Sequence, residues 1–189
     1  DEWMPNKLEE QERVISATEK PWLCHTNEVW IRNGVRVNQM KKHQKYGGDV
    51  FDKCLDICRI SPSSVLMKKE VFEIVGLFDE SLKVCEDYDL WLRITAVLPI
   101  LFLDQPLITK YGGHADQLSR VDYGIEQYRI SSLEKILRSK SLSNSQSKNA
   151  ISQLLKKLKI FSTGLEKRNK LKELNIYKKK IQYWSKQKP

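Results

Sequence analysis

Three carboxylates within four positions, Glu86, Asp87 and Asp89, lead into the apolar run of residues 90–98. Acids so placed can cap a helix, pair with a cation, or take a proton from a hydroxyl. Leu90, Trp91, Ile94 and Val97 recur at helical spacing, with Leu98 completing the stripe. The pattern predicts an amphipathic helix with the acids in its first turn. There the unpaired backbone N–H groups and the positive end of the macrodipole stabilise negative charge, so Glu86 and Asp87 need no chemistry to be at home. Asp89 and Arg93 stand i,i+4 and read as a surface ion pair worth tenths of a kcal/mol. Tyr88 and Trp91 argue the other way, because aromatic surface raises a carboxylate's pKa toward the range of a general base. Spacing alone leaves both readings open, with capping the commoner role for charge at a helix end.

Other residue types invite the same double reading. Ser61, Ser63 and Ser64 lie on an expected strand over residues 60–67, where they could bind hydroxyls or simply satisfy the backbone. His114 follows Gly112-Gly113, which lets the backbone approach a ligand closely. Cys54 and Cys58 are i,i+4 on an expected helix over residues 50–58 and, with His25 or His43, make a candidate zinc site. Free buried thiols are the simpler reading of the four cysteines, which show neither a disulfide framework nor paired C-x-x-C spacing.

The elements that must position these residues follow in order. Pro5 opens a first helix carrying Leu8, Gln11 and Ile15. Residues 28–32 and 35–37 are strands joined by Asn33-Gly34, a hairpin signal, and a basic, glycine-ended loop covers residues 38–48. A helix over residues 69–75 is capped by Gly76. Residues 100–103 and 107–111 read as two strands around Asp104-Gln105-Pro106. Beyond Tyr123 the chain reads as helical, with a linker over residues 139–148 and helices over 150–158 and 165–184.

The order of these motifs resembles the acceptor-side half of family 2 glycosyltransferases of the GT-A fold. The matching residues are Ser63 and Ser64, Gly76, Phe78-Asp79-Glu80, and the Glu86-Asp87 pair opening the helix that carries the family's catalytic base. The opening Asp1-Glu2-Trp3-Met4-Pro5 and the His114 to Ser119 stretch are similar to the family's metal loop and its late His-x-x-Gln-Leu-Ser element. The resemblance implies an α/β chain: a partial GT-A fold with a mixed sheet over residues 1–120, then a basic helical C-terminal extension over 121–189. It implies an inverting, metal-dependent transferase using a nucleotide-sugar donor and a saccharide or lipid-linked acceptor. Asp87 would be the base and Glu86 its helper. Ser63, Ser64, Trp91 and Arg93 would lie toward substrate, although Arg93 reads better as the residue that holds the acids in place. His114 and Asp1 would lie at a divalent metal, magnesium or manganese. The implied setting is bacterial cell-envelope polysaccharide synthesis, in the cytoplasm or at the inner face of the membrane. The chain begins at Asp1, and the resemblance further implies a nucleotide-binding half upstream of it.

Charge divides the 189 residues unevenly. Residues 120–189 hold 18 Lys+Arg against 5 Asp+Glu, whereas the chain as a whole carries a net charge of +9. Two roles compete for this tail: an appendage lying on the domain or on an anionic membrane surface, or a non-catalytic basic module that binds nucleic acid or anionic surfaces. No recognisable nucleic-acid motif accompanies the charge, which ranks the appendage first. No apolar run approaches a membrane span, the longest being broken at Pro99.

Overall fold

The computed structural model describes residues 1–20, 22–113 and 124–187. Two strands form the centre of a mixed sheet: β2 (Leu23–Arg32) and β5 (Leu101–Gly112) run parallel. The short strands β3 (Val35–Val37) and β4 (Leu66–Met67) pair antiparallel with β2, and β1 (Glu2–Trp3) pairs antiparallel with β5. The β2–β3 turn is the one its sequence demands. Asn33 and Gly34 both take positive φ, 51° and 77°, the backbone that a two-residue hairpin requires.

Residues 101–112 differ from expectation. They form one continuous strand, and the Asp104-Gln105-Pro106 interruption is absorbed by register shifts against Thr26, Asn27 and Glu28. A bulge accommodates Pro106, which has no N–H to give to the ladder. Residues 60–67 also depart from a simple strand. A 3-10 turn over Pro62–Ser64 precedes β4, and the Ser64 hydroxyl turns back to donate to the Ser61 carbonyl at 2.7 Å.

The helices cover the sheet and then one another. α1 (Lys7–Ser16) is tied to β2 by Gln11, whose amide donates to the carbonyls of Cys24 and Ser64, both at 2.9 Å. α2 (Phe51–Cys54) is shorter than the expected helix, so Cys54 and Cys58 do not share a helical face. α3 (Glu70–Val75) ends at Gly76, whose φ of 81° suits glycine. α4 (Glu86–Val97) is buried on several sides rather than along one stripe. Tyr88, Leu90, Trp91, Leu92, Ile94 and Thr95 are all enclosed, while Val97 is exposed.

α5 (Ile125–Arg138), α6 (Asn144–Lys167) and α7 (Leu171–Lys186) complete the chain. α6 begins inside the expected linker because Ser143 and Gln146 form a reciprocal capping box, at 3.2 and 2.9 Å. It continues past residue 158 because Leu154, Leu158, Phe161 and Leu165 hold one buried face in register. The turn falls instead at residues 168–170, where Asn169 takes a φ of 56°. One hydrophobic core runs from Leu23 to Trp184 and includes residues of α2, α4, α5, α6 and α7. Among the described residues no helix is long and apolar enough to cross a membrane.

Candidate functional site

The site begins where α4 begins. Cys85 precedes the helix with a φ of 66°, a left-handed backbone that costs a non-glycine residue about 1–2 kcal/mol. Strain of this kind gathers at sites where direction matters more than local comfort. Here it sets the direction in which Glu86 and Asp87 leave the loop.

Asp87 is half-buried and held at both oxygens. Oδ1 accepts the backbone N–H of Tyr88 at 2.6 Å, and Oδ2 accepts the thiol of Cys58 at 3.2 Å. Burial, and then the Asp87 charge beside it, push the Cys58 thiol well above its ordinary pKa, so it stays protonated and stays a donor. Glu86, also half-buried, makes no hydrogen bond or ion pair among the described residues. Tyr88 locks the helix from behind. Its hydroxyl donates to the Leu55 carbonyl at 2.6 Å, and burial pushes its pKa well up.

From Cys58 a short segment, residues 58–64, carries polar contacts away from Asp87. Ser61 Oγ accepts Lys110 Nζ at 3.1 Å, and Ser63 Oγ donates to Asp1 Oδ2 at 2.6 Å. Asp1 and Asp87 thus meet opposite ends of one segment, with a lysine between them. Lys110 belongs to a larger polar group. Glu28 receives the Trp30 indole N–H at 2.7 Å and pairs with Lys45 at 3.1 Å, both partners of the pair being buried. Burial drives the Glu28 carboxyl upward, but Lys45, Lys110, Ser61 and Trp30 together hold it below its ordinary value. Burial lowers Lys45 despite the opposing pull of Glu28.

The expected site residues separate into two sets. Asp87, Ser63 and Asp1 have side chains on this polar stretch, and Glu86 is the half-buried residue before Asp87 in the chain. Ser64 is fully buried and its hydroxyl is spent on its own turn. Trp91 is 3% exposed, a core residue whose indole N–H finds no acceptor among the described residues. Arg93 turns to protein: Nε donates to Asp89 at 2.9 Å, Nη1 to the Val75 and Gly76 carbonyls, and Nη2 to the Leu77 carbonyl at 2.8 Å. Its partner Asp89 is 2% exposed, so the pair is buried rather than a surface ornament. His114 lies outside the described residues. Sequence reasoning missed Lys110 and the Glu28–Lys45 pair, and it read Cys58 as a candidate zinc ligand where the structure turns it to Asp87. A lysine inside the apolar run of residues 107–111 was the one available signal.

Of the two residues expected at a metal, Asp1 is described and His114 lies outside the described residues. Among the described residues no three His, Cys, Asp or Glu side chains converge, and one Asp1 oxygen already accepts the Ser63 hydroxyl. All four cysteines are free; Cys54 is buried and Cys58 is turned to Asp87, so the zinc arrangement does not form.

The fold and this polar stretch define an α/β protein with a held carboxylate at the head of a buried helix. No family model matches the chain. It is similar to an uncharacterized glycosyltransferase of Rickettsia prowazekii, 29% identical over 140 residues, which take in 68% of this chain and 42% of that relative. An uncharacterized glycosyltransferase of Rickettsia typhi is 26% identical over 144 residues, with the same shares covered. A stretch of 57 residues, 30% of the chain, is 42% identical to 9% of an uncharacterized glycosyltransferase of Rickettsia conorii. The chain therefore spans about two fifths of the length of the first two relatives.

Proposed function

We propose that the chain is the acceptor-side part of a glycosyltransferase, inverting and of the family 2, GT-A type, with Asp87 as its general base. The relatives named as glycosyltransferases support the broad activity. The observation that carries the assignment of Asp87 is its setting: half-buried, fixed through both oxygens, and joined through Cys58 to the segment whose other end meets Asp1.

In this reading an acceptor hydroxyl lies against Asp87, with Glu86 free to receive a second hydroxyl. The proton passes to the Asp87 carboxylate as the acceptor oxygen donates its electron pair to the anomeric carbon from the face opposite the leaving group. The bond between that carbon and the diphosphate oxygen breaks, and the nucleoside diphosphate leaves with the bonding electrons. The Tyr88 N–H and Cys58 thiol orient the carboxylate before the proton arrives, which removes a reorganisation step. Lys110, beside Ser61, adds positive charge to the same stretch and favours a phosphate-bearing ligand there. The donor is a nucleotide-diphosphate sugar and the acceptor a saccharide or lipid-linked hydroxyl. A divalent cation, magnesium or manganese, belongs to the same reading with His114 and Asp1 as its residues, and no step above is routed through it. The division into residues 1–120 and 121–189 is retained as a division of role, since the core is shared between them.

The test is calorimetric titration of UDP and GDP, with and without Mn²⁺, into this chain and into a form extended upstream to the relatives' length. Metal-dependent binding by the extended form supports the transferase. Absence of binding by both forms removes the donor from the account and moves a non-catalytic basic module ahead.

A further inference from the structure

α7 has two faces with different uses. Leu174, Tyr177, Ile181 and Trp184 point into the core; Tyr177 meets the Phe161 ring of α6 at 4.7 Å and the Trp184 indole donates to Glu134 of α5 at 2.9 Å. On the opposite side Lys172, Ile176, Lys179, Tyr183 and Lys186 alternate at steps of four and three residues, which puts them on one stripe. All five are exposed, Ile176 at 56% and Tyr183 at 54%. The lysines are about 10 Å apart along the axis, with one apolar or aromatic side chain between each pair.

Three lysines that tie the helices into the fold are paired: Lys180 with Glu134, Lys157 with Glu126, and Lys135 with Asp79 and Asp89. Lys172, Lys179 and Lys186 make no ion pair or hydrogen bond among the described residues. The one acid of α7, Glu173, lies off the stripe at 3.5 Å from Lys170. α6 carries the same composition outward, with Lys156, Ile160 and Lys167 at helical spacing and Ile160 61% exposed. A face kept only for solubility has no use for Ile160, Ile176 and Tyr183 in register with unpaired lysines.

We infer that the outer stripe of α7 docks on an anionic lipid surface. The lysines meet headgroup phosphates while Ile176 and the Tyr183 ring enter the headgroup boundary, a division of labour that suits an interface polar above and apolar below. A nucleic-acid backbone would use the charge and leave Ile176 without a partner, so lipid is the better match. This inference does not rest on the transferase reading.

The experiment is co-sedimentation of the full chain with vesicles of phosphatidylcholine alone and with about one third phosphatidylglycerol, at about 0.1 M and 0.5 M salt. Binding is expected only to the anionic vesicles, and it should weaken at the higher salt. Lys172→Glu, Lys179→Glu and Lys186→Glu together should lower the partition coefficient roughly 100-fold, at about fivefold per lysine before reversal is counted. Ile176→Ser with Tyr183→Ser should lower it severalfold and leave the salt dependence intact. Both variants change exposed positions, so their circular dichroism and melting should match the parent. No binding to anionic vesicles, binding unaffected by the triple reversal, or tighter binding to a single-stranded oligonucleotide than to vesicles would each overturn the proposal.

Discussion

Replacing Arg93 by Ala tests whether that residue holds the site together or touches substrate. Its guanidinium serves Asp89 and the three carbonyls that end α3, so the change frees four acceptors at once. The Asp89 carboxylate is 2% exposed, and removing one partner of a buried ion pair costs about 3–5 kcal/mol. Lys135 Nζ, at 3.0 Å, remains to Asp89, but it is 43% exposed and shared with Asp79 at 2.7 Å. The three carbonyls lie near solvent and regain water, so the net loss should be about 3 kcal/mol. For a chain of this size each kcal/mol moves the melting temperature by about 2–4 °C, which predicts a fall of roughly 6–12 °C. Thermal unfolding followed by circular dichroism at neutral pH reads it directly. Arg93→Lys should recover less than half of the loss, because an ammonium replaces the charge but not the fork that spans α3 and α4. A shift in Arg93→Ala of under about 2 °C would refute the positioning role and return Arg93 to the substrate side.

Other expectations follow from buried groups. Burial first, then the nearby Lys45 charge, hold His25 down to a pKa of about 4, although its Nε2 hydrogen bond to the Tyr46 carbonyl at 2.8 Å pulls the other way. The unfolded imidazole titrates near 6.5, so the unfolded chain binds the extra proton between the two values. Stability should therefore fall as pH drops from about 6.5 to 4, by at most about 3 kcal/mol, and His25→Gln should flatten that part of the melting-temperature profile. Gly47→Ala would set a Cβ 2.9 Å from the Phe102 backbone nitrogen and 3.3 Å from the Ile100 carbonyl, a clash with backbone that should cost about 1–3 kcal/mol in chemical denaturation. Glu134→Gln removes the charge that receives Lys180 at 2.5 Å and weakens the anchor of Trp184; amide exchange in α7 should rise at least tenfold while that of β2 and β5 stays unchanged.

What sequence could reveal depended on how local the cause was. The Asn33-Gly34 hairpin, the Gly76 cap and the helical state of α4 follow from residues a few positions apart and form as read, although α4 is enclosed on several sides where one stripe was expected. Asp89 was legible as a partner of Arg93, but its burial was not, because its second partner, Lys135, comes from α5, 46 residues away. Trp91 reads from spacing as a core-facing stripe residue and is core; only the resemblance placed it toward substrate. The Asp104-Gln105-Pro106 turn signal failed for a tertiary reason: β2 offered a ladder that a bulge could match. At the site, Asp87 and Glu86 stood out by type and spacing. Cys58 stood out only as a zinc candidate, since its contact with Asp87 spans 29 residues and no local pattern marks a thiol as a carboxylate's donor.

The most direct measurement is turnover of Asp87→Asn beside the parent, in the form extended to the relatives' length, with whichever nucleotide sugar that form binds. The amide keeps the shape but cannot accept the acceptor hydroxyl's proton. Transfer should fall by at least about 10²–10⁴-fold, with donor affinity within about twofold of the parent. Turnover close to the parent's would contradict Asp87 as the base and leave the acids at the head of α4 as helix caps.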